Sequence, residues 1–289
     1  MKKAVFFAVL AAALYALNAP LSKLLLQSVP PTMMAGFLYL GAGIGMALMG
    51  FVRSKTGRGT REARLTRKDL PYTLGMIILD IAAPIFLMIG LSRTTAANAS
   101  LLNNFEIVST SLIAMIVFRE KIGKQLWIAI GLVTLASALL SVESAGCFCF
   151  SIGSLFVLLA CVCWGLENNC TRCLSKSDPL EIVVIKGLCS GVGSVLIGFA
   201  VGERLPALQD ILLILLLGFV AYGLSIYFYV YAQRDLGAAK TSAYYAVAPF
   251  IGVFLSLVIF REIPGVIFLA ALAIMITGTW MINRTQSGR

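Results

Sequence analysis

One stretch of this chain occurs twice. Ala96-Ala97-Asn98-Ala99-Ser100 leads through an apolar run to Phe118-Arg119-Glu120-Lys121-Ile122-Gly123. Ala238-Ala239-Lys240-Thr241-Ser242 leads through a second apolar run to Phe260-Arg261-Glu262-Ile263-Pro264-Gly265, 142 residues later and without a gap. Over Ala96–Ala129, 8 of 34 positions repeat: Ala96, Ala97, Ser100, Phe118, Arg119, Glu120, Gly123 and Ala129. Apolar helices share residues by composition, but a charged triplet held in register is more than composition. A duplicated chain builds its fold from the repeat, so the repeat decides the class.

The rest of the composition says what solvent that fold sees. The chain has 289 residues, 60% hydrophobic and 12% charged, with a mean hydropathy of +0.94. Soluble domains run near 45–50% apolar and about 25% charged. The expectation is an all-α integral membrane protein with no room for a separate soluble domain. The net charge of +10 fits basic cytoplasmic loops and not nucleic-acid binding. Histidine is absent, which removes histidine proton relays, histidine metal ligands and the Ser-His-Asp triad. No phosphate-cradling Gly-x-x-x-x-Gly-Lys-Ser/Thr loop occurs, so the chain does not read as ATP-driven. The start, Met1-Lys2-Lys3 and an apolar run, resembles a secretory signal. The run continues to Leu26, long enough to span, and is read as retained.

A span needs about 20 mostly apolar residues, and in lipid such a run is a helix. Ten are expected: 4–26, 33–52, 72–90, 96–118, 124–142, 152–174, 181–201, 208–231, 238–260 and 264–283. Pro20, Pro84 and Pro249 fall inside spans, where each removes a donor and is expected to kink its helix. The duplication extends across them. Gly43-x-Gly45-x-x-Leu48-x-Gly50-Phe51 in span two matches Gly191-x-Gly193-x-x-Leu196-x-Gly198-Phe199 in span seven. Tyr15-Ala16-Leu17-Asn18 in span one matches Trp164-Gly165-Leu166-Glu167 in span six. The chain therefore reads as two five-helix repeats, 1–143 and 150–283. The glycine rows are assigned to close packing.

Five is odd, so the second repeat enters the membrane from the opposite side. With the N-terminus inside, 19 of the 23 basic residues fall inside and only Lys23, Arg93, Arg204 and Arg261 outside. Basic residues collect on the cytoplasmic side. Both termini are expected there, in a multi-pass protein of the cell (plasma or inner) membrane. Inverted repeats mark many secondary transporters, with substrate near the midplane.

These features resemble the drug/metabolite transporter superfamily, EamA type. The similarity rests on the ten-helix double repeat, the Trp164-Gly165 opening and Ala97, Ser100, Leu101, Leu102, Glu106, Arg119 and Glu120 at their places in the family's pattern. Ile107 stands where that pattern often has proline, and Pro249 occupies the corresponding place in the second repeat. The resemblance implies a secondary carrier of small metabolites, often an exporter, with no bound cofactor.

Asp80, Glu106, Glu167 and Lys186 lie well within spans. An ionisable group at a helix centre costs a few kcal/mol, so each should face a cavity or a partner. Their repeat counterparts, Tyr222, Ala248, Asn18 and Leu38, are uncharged, which looks like site chemistry laid over a duplicated scaffold. Glu106 shares a helical face with Asn103 and Thr110, and Glu167 with Trp164 and Thr171. Asn18, Asp80, Asn103, Glu106, Trp164, Glu167, Tyr222 and Tyr245 are the candidate substrate-binding residues. Lys186, Glu106 and Glu167 are the candidates for ion pairing or coupling, with Lys186 expected on Glu106 or on Glu167. Cys170-x-x-Cys173 lacks a histidine or a second Cys-x-x-Cys, and no metal site is assigned to it. Glu120 and Glu262 are expected to act at helix ends.

The functional expectation is a secondary active transporter, exporter or exchanger, working by alternating access. Its substrate is a small organic metabolite carrying an amine or another cationic group, or its transport is coupled to protons. No catalytic residue, metal, cofactor or nucleic acid is expected. The partners are the substrate, membrane lipid and protons, and the chain acts as a monomer or homodimer. A facilitative pore is the alternative, and an intramembrane enzyme a more distant one.

Overall fold

The computed structural model describes residues 2–55, 65–119, 123–144, 147–174, 177–236, 241 and 244–287. Thirteen α-helices are described: α1 Lys2–Ala16, α2 Asn18–Leu25, α3 Pro31–Lys55, α4 Leu70–Arg93, α5 Ala96–Leu102, α6 Phe105–Phe118 and α7 Lys124–Leu140, then α8 Ile152–Cys173, α9 Pro179–Ala200, α10 Leu208–Gly218, α11 Ser225–Leu236, α12 Ala248–Phe260 and α13 Val266–Ser287. A short antiparallel ribbon, β1 Val142–Ser144 with β2 Cys147–Phe150, joins α7 to α8. A π-helical turn, Phe219–Leu224, joins α10 to α11.

Among the described residues, seven stretches are long and apolar enough to cross a membrane: Lys2–Leu25, Pro31–Arg53, Arg67–Arg93, Ala96–Val117, Ile152–Cys173, Leu180–Ala200 and Leu208–Tyr229. Three apolar helices are shorter, Lys124–Leu140, Ala248–Phe260 and Val266–Met281. They lie within expected spans five, nine and ten, and the one in span nine covers only its second part. Large apolar side chains such as Leu48, Ile78, Ile116, Leu155, Leu196 and Phe254 stand exposed on six different helices. So much exposed apolar surface suits lipid, not water.

The helices pack in pairs: α3 on α9, α4 on α8, α7 on α13, α1 on α11 and α5 on α12. The glycine rows do the packing assigned to them. A methyl group added at Gly43 would come 2.6 Å from the Leu188 backbone nitrogen, and one at Gly191 would come 2.7 Å from that of Leu40. Only hydrogen fits between α3 and α9 there. The core beneath is apolar, with Met33, Leu38, Leu87, Leu101, Leu102, Val157 and Ile214 buried.

Polar side chains tie the helix ends. Glu203 accepts from the backbone of Thr32 and Met33 at 3.2 and 2.9 Å, capping α3. Lys23 donates to the Leu91 carbonyl at 2.6 Å, at the end of α4. The two Phe-Arg-Glu triplets end their helices alike: Arg119 after α6 and Arg261 after α12 both take the left-handed conformation, with φ of 54° and 52°. Glu120 lies outside the described residues.

The helices nearest the centre are interrupted, each for a local reason. Pro20 has no N–H for the carbonyl of Ala16, and α1 ends at Ala16 before α2 begins at Asn18. Pro249 leaves the carbonyl of Tyr245 without its donor, and turn residues 246–247 precede α12. Span four breaks at Asn103-Asn104 although it has no proline. There the chain tightens: Asn104, Glu106 and Ile107 donate to the carbonyls three residues back at 3.1 to 3.2 Å. Two consecutive asparagines, weak helix formers, account for it. At Pro84, which is buried, α4 continues as one helix without a break.

Candidate functional site

Two of the three acids well within the spans meet at one lysine. Lys186, one-third of the way along α9, places its ammonium 3.0 Å from Asp80 of α4 and 3.0 Å from Glu167 of α8. Both carboxylates are sealed, at 0% and 2% exposure. Their other contacts are hydroxyls. Tyr39 of α3 donates to Asp80 at 3.0 Å, and Trp164 donates through its indole to Tyr39 at 3.4 Å. Thr171, one turn beyond Glu167, donates to it. Lys186 thus pairs with Glu167, as one of the two expected alternatives, and also with Asp80.

Glu106 stands apart. It lies in the first turn of α6, and its carboxylate accepts from Asn168 at 2.7 Å. Asn168 also donates to Thr110 at 3.2 Å. Among the described residues no lysine or arginine pairs with Glu106, so the expected alternative of a Lys186–Glu106 pair is not what forms. The tight turn at 103–104 keeps Asn103 three residues before Glu106, whose N–H donates to the Asn103 carbonyl at 3.1 Å. Asn103 also packs beside Cys161, whose thiol lies 4.0 Å from its amide oxygen.

Tyrosines link the charged group to span one. Asn18 donates to the Tyr222 hydroxyl at 3.0 Å and accepts from Ser22 at 3.0 Å. The Tyr222 ring lies 5.3 Å from Tyr39 and 5.8 Å from Tyr15. Tyr15 lies 5.9 Å from Tyr245, whose hydroxyl shares a 3.3 Å hydrogen bond with Ser225. Tyr222 sits in the π-helical turn, and π-turns recur at functional sites because they reorient one side chain within a helix. The line from Asp80 through Tyr39 and Tyr222 to Asn18 joins three of the candidate residues. Trp164 and Glu167 flank its charged end, Tyr245 flanks the tyrosines, and Asn103 shares a small cavity with Asn18.

Tyr15, Tyr39 and Asn168 are site neighbours that sequence reasoning passed over. Asn168 carried a visible signal, an amide in an apolar span next to Glu167. Tyr15 and Tyr39 carried none that separates them from packing aromatics. Among the described residues no cluster of histidine, cysteine and carboxylate side chains could hold a metal.

The model of the EamA-like transporter family matches residues 2–142 and again residues 151–284. The chain belongs to the EamA-like transporter family. An uncharacterized transporter of Methanothermobacter thermautotrophicus (strain Delta H) is 26% identical over 290 residues, which is 93% of this chain and 82% of that protein. A protein of known crystal structure superposes with a TM-score of 0.69 at 19% identity, over 96% of this chain and 95% of its own. That likeness concerns the fold. The family and the relative carry the name of a transporter, which is not an enzyme class.

Proposed function

We propose that this EamA-like transporter is a secondary carrier that alternates access between two inverted five-helix halves, 1–143 and 150–283. Its substrate is a small organic molecule bearing an amine or quaternary ammonium, or its transport is coupled to protons through Glu106 or Glu167. The supporting observation is the charge count at the centre. Asp80 and Glu167 share one lysine, Lys186, and Glu106 is held by the neutral Asn168. Fully ionised, the cluster holds two negative charges in excess, and low dielectric makes that costly. A cationic group or a proton offsets it. Tyr15, Tyr222 and Tyr245 nearby offer ring faces that suit an ammonium.

The helix pairing supports the inverted halves. Under the sequence repeat, span two corresponds to span seven and span five to ten, and these are the pairs α3 with α9 and α7 with α13. Span three with six corresponds to span eight with one, the pairs α4 with α8 and α11 with α1. A two-fold relation between halves generates that pattern.

The test is transport in proteoliposomes with a panel of amines and quaternary ammonium ions. Saturable uptake, accelerated by substrate on the far side, is the expected result. Flux without saturation or counterflow would indicate a facilitative pore. Glu106→Gln and Glu167→Gln should each abolish coupled transport in a folded protein. Normal transport by both variants would make the acids structural.

A further inference from the structure

Three interrupted helices close on one cavity. Its walls come from the break in span one (Tyr15, Asn18), the break in span four (Ser100, Asn103) and the start of α12 (Pro249, Gly252). Among the described residues that line it, none is charged. The free space is about 10 Å³, room for one water-sized group. It therefore suits the end of a ligand, not a whole one.

The hydrogen-bonding capacity of the walls is unbalanced. Asn18 is engaged on both sides, donating to Tyr222 and accepting from Ser22. Ser100 donates to the Ala96 carbonyl. Asn103 is only 9% exposed, and its amide nitrogen donates to no group among the described residues. The Tyr15 hydroxyl likewise has no hydrogen-bond partner among them. Neither donor is sealed in the core, and Tyr15 is half-buried, so both stand on the cavity wall open to an acceptor that enters it. The helix starts add to this. α2, eight residues, begins at Asn18, and α12, thirteen residues, begins at Ala248, both on the cavity wall. Helix N-termini carry positive partial charge, and transporters turn such half-helix ends toward electron-rich substrate groups.

We propose that this cavity is a donor-lined subsite that takes an oxygen acceptor of the substrate, a carbonyl, hydroxyl or carboxylate oxygen. The inference rests on the reading of this region as a transport site. It extends the substrate class, to an ammonium at the acids and an oxygen acceptor at Asn103 and Tyr15. The two ends are close in the fold. Asn18 of the subsite bonds to Tyr222, Tyr222 packs on Tyr39, and Tyr39 bonds to Asp80.

Four compounds on one carbon chain test it: pentylamine, 2-aminohexan-1-ol, norleucine and hexanoate. Their binding to the purified full chain is measured by thermal shift and calorimetry. The expected result is that the two oxygen-bearing amines bind about tenfold more tightly than pentylamine, the scale of one hydrogen bond to a charged or well-placed donor. Asn103→Leu and Tyr15→Phe should each shrink the affinity ratio of the oxygen-bearing amines to pentylamine. Should Asn103→Leu fail to fold, Asn103→Asp keeps the shape, removes the donors, and should turn the advantage of norleucine into a penalty. Equal affinity for pentylamine and its oxygen-bearing partners overturns the subsite, since water then serves the cavity as well. So does an advantage that survives the substitutions, or a protein that binds none of the four. Hexanoate binding that depends on Asn103, without pentylamine binding, supports the subsite and overturns the amine reading alone.

Discussion

The ammonium of Lys186 and the carboxylate of Asp80 lie 3.0 Å apart, and Asp80 is entirely sealed from the surface. Lys186 reaches Glu167 at the same distance. One cation therefore holds two buried anions that would otherwise repel each other. Pairs of this kind give little net stability relative to apolar residues, but removing one partner is severe, about 3–5 kcal/mol, because a buried charge is left alone.

Lys186→Met should accordingly lower the melting temperature and the folded yield in detergent. Lys186→Met combined with Asp80→Asn should recover part of the loss, because one of the stranded charges is gone. Lys186→Met in a protein as stable as the wild type would contradict the pairing. The double-mutant comparison separates the pair's interaction from the packing of each side chain.

Glu106 and Glu167 should respond differently to loss of charge. Glu106 accepts from the neutral Asn168, whereas Glu167 holds Lys186. Glu106→Gln keeps an acceptor for Asn168, so stability should change by less than about 1 kcal/mol. Glu167→Gln weakens an ion pair and should cost more. Binding of a quaternary ammonium, whose own charge does not titrate, should weaken as pH falls, because protons neutralise the acid it faces. That pH dependence should vanish in one of the two variants.

The α3–α9 contact predicts a contrast between glycines. A methyl group at Gly43 meets the Leu188 backbone at 2.6 Å, while one at Gly131 of α7 meets nothing within 4 Å. Overpacking costs about 1–3 kcal/mol, and replacing an open helical glycine gains up to about 1 kcal/mol. Gly43→Ala should lower the melting temperature and Gly131→Ala should hold or raise it. Both shifts are read by thermal unfolding in detergent.

Much of this was legible in the residues. Apolar length marked the helices, and the glycine rows of spans two and seven marked the closest contact, because only backbone approach explains Gly43 and Gly191 in register. The unpaired excess of acids was visible as a count. Which acid meets Lys186 was not, since Asp80, Glu106 and Glu167 are equally apolar in context and only the crossing of α4, α8 and α9 brings two of them to it. The interruptions were half visible. Pro20 and Pro249 announce a missing donor, but Pro84 does too and α4 absorbs it, while span four breaks at Asn103-Asn104 with no proline. Tyr39 and Tyr15 were hidden among packing aromatics, because what distinguishes them is a hydroxyl's partner, or the lack of one, across helices distant in sequence.

Both termini are expected in the cytoplasm, with 19 of 23 basic residues on that side in the proposed topology. Cys147 and Cys149, in the connection between α7 and α8, should then react with an impermeant thiol reagent from outside when reduced. Reporter fusions at the C-terminus should show cytoplasmic enzyme activity. A C-terminus outside would remove the inverted arrangement of the halves and the alternating-access proposal with it.

The two left-handed arginines give the last prediction. Arg119 and Arg261 hold φ of 54° and 52°, with ψ of 33° and 34°, at the ends of α6 and α12. For a residue with a Cβ this conformation costs about 1–2 kcal/mol, and glycine takes it freely. Glycine also loses more freedom on folding, which offsets part of the gain. Arg119→Gly and Arg261→Gly should each stabilise by roughly 0.5–1 kcal/mol. Arg119→Val and Arg261→Val, β-branched at the same backbone angles, should destabilise by about 1–2 kcal/mol. Thermal unfolding of the four variants measures both signs. If the glycine variants are the less stable pair, the side chains of the Phe-Arg-Glu triplets matter through contacts of the guanidinium, and the shared backbone turn is not what the duplication preserved.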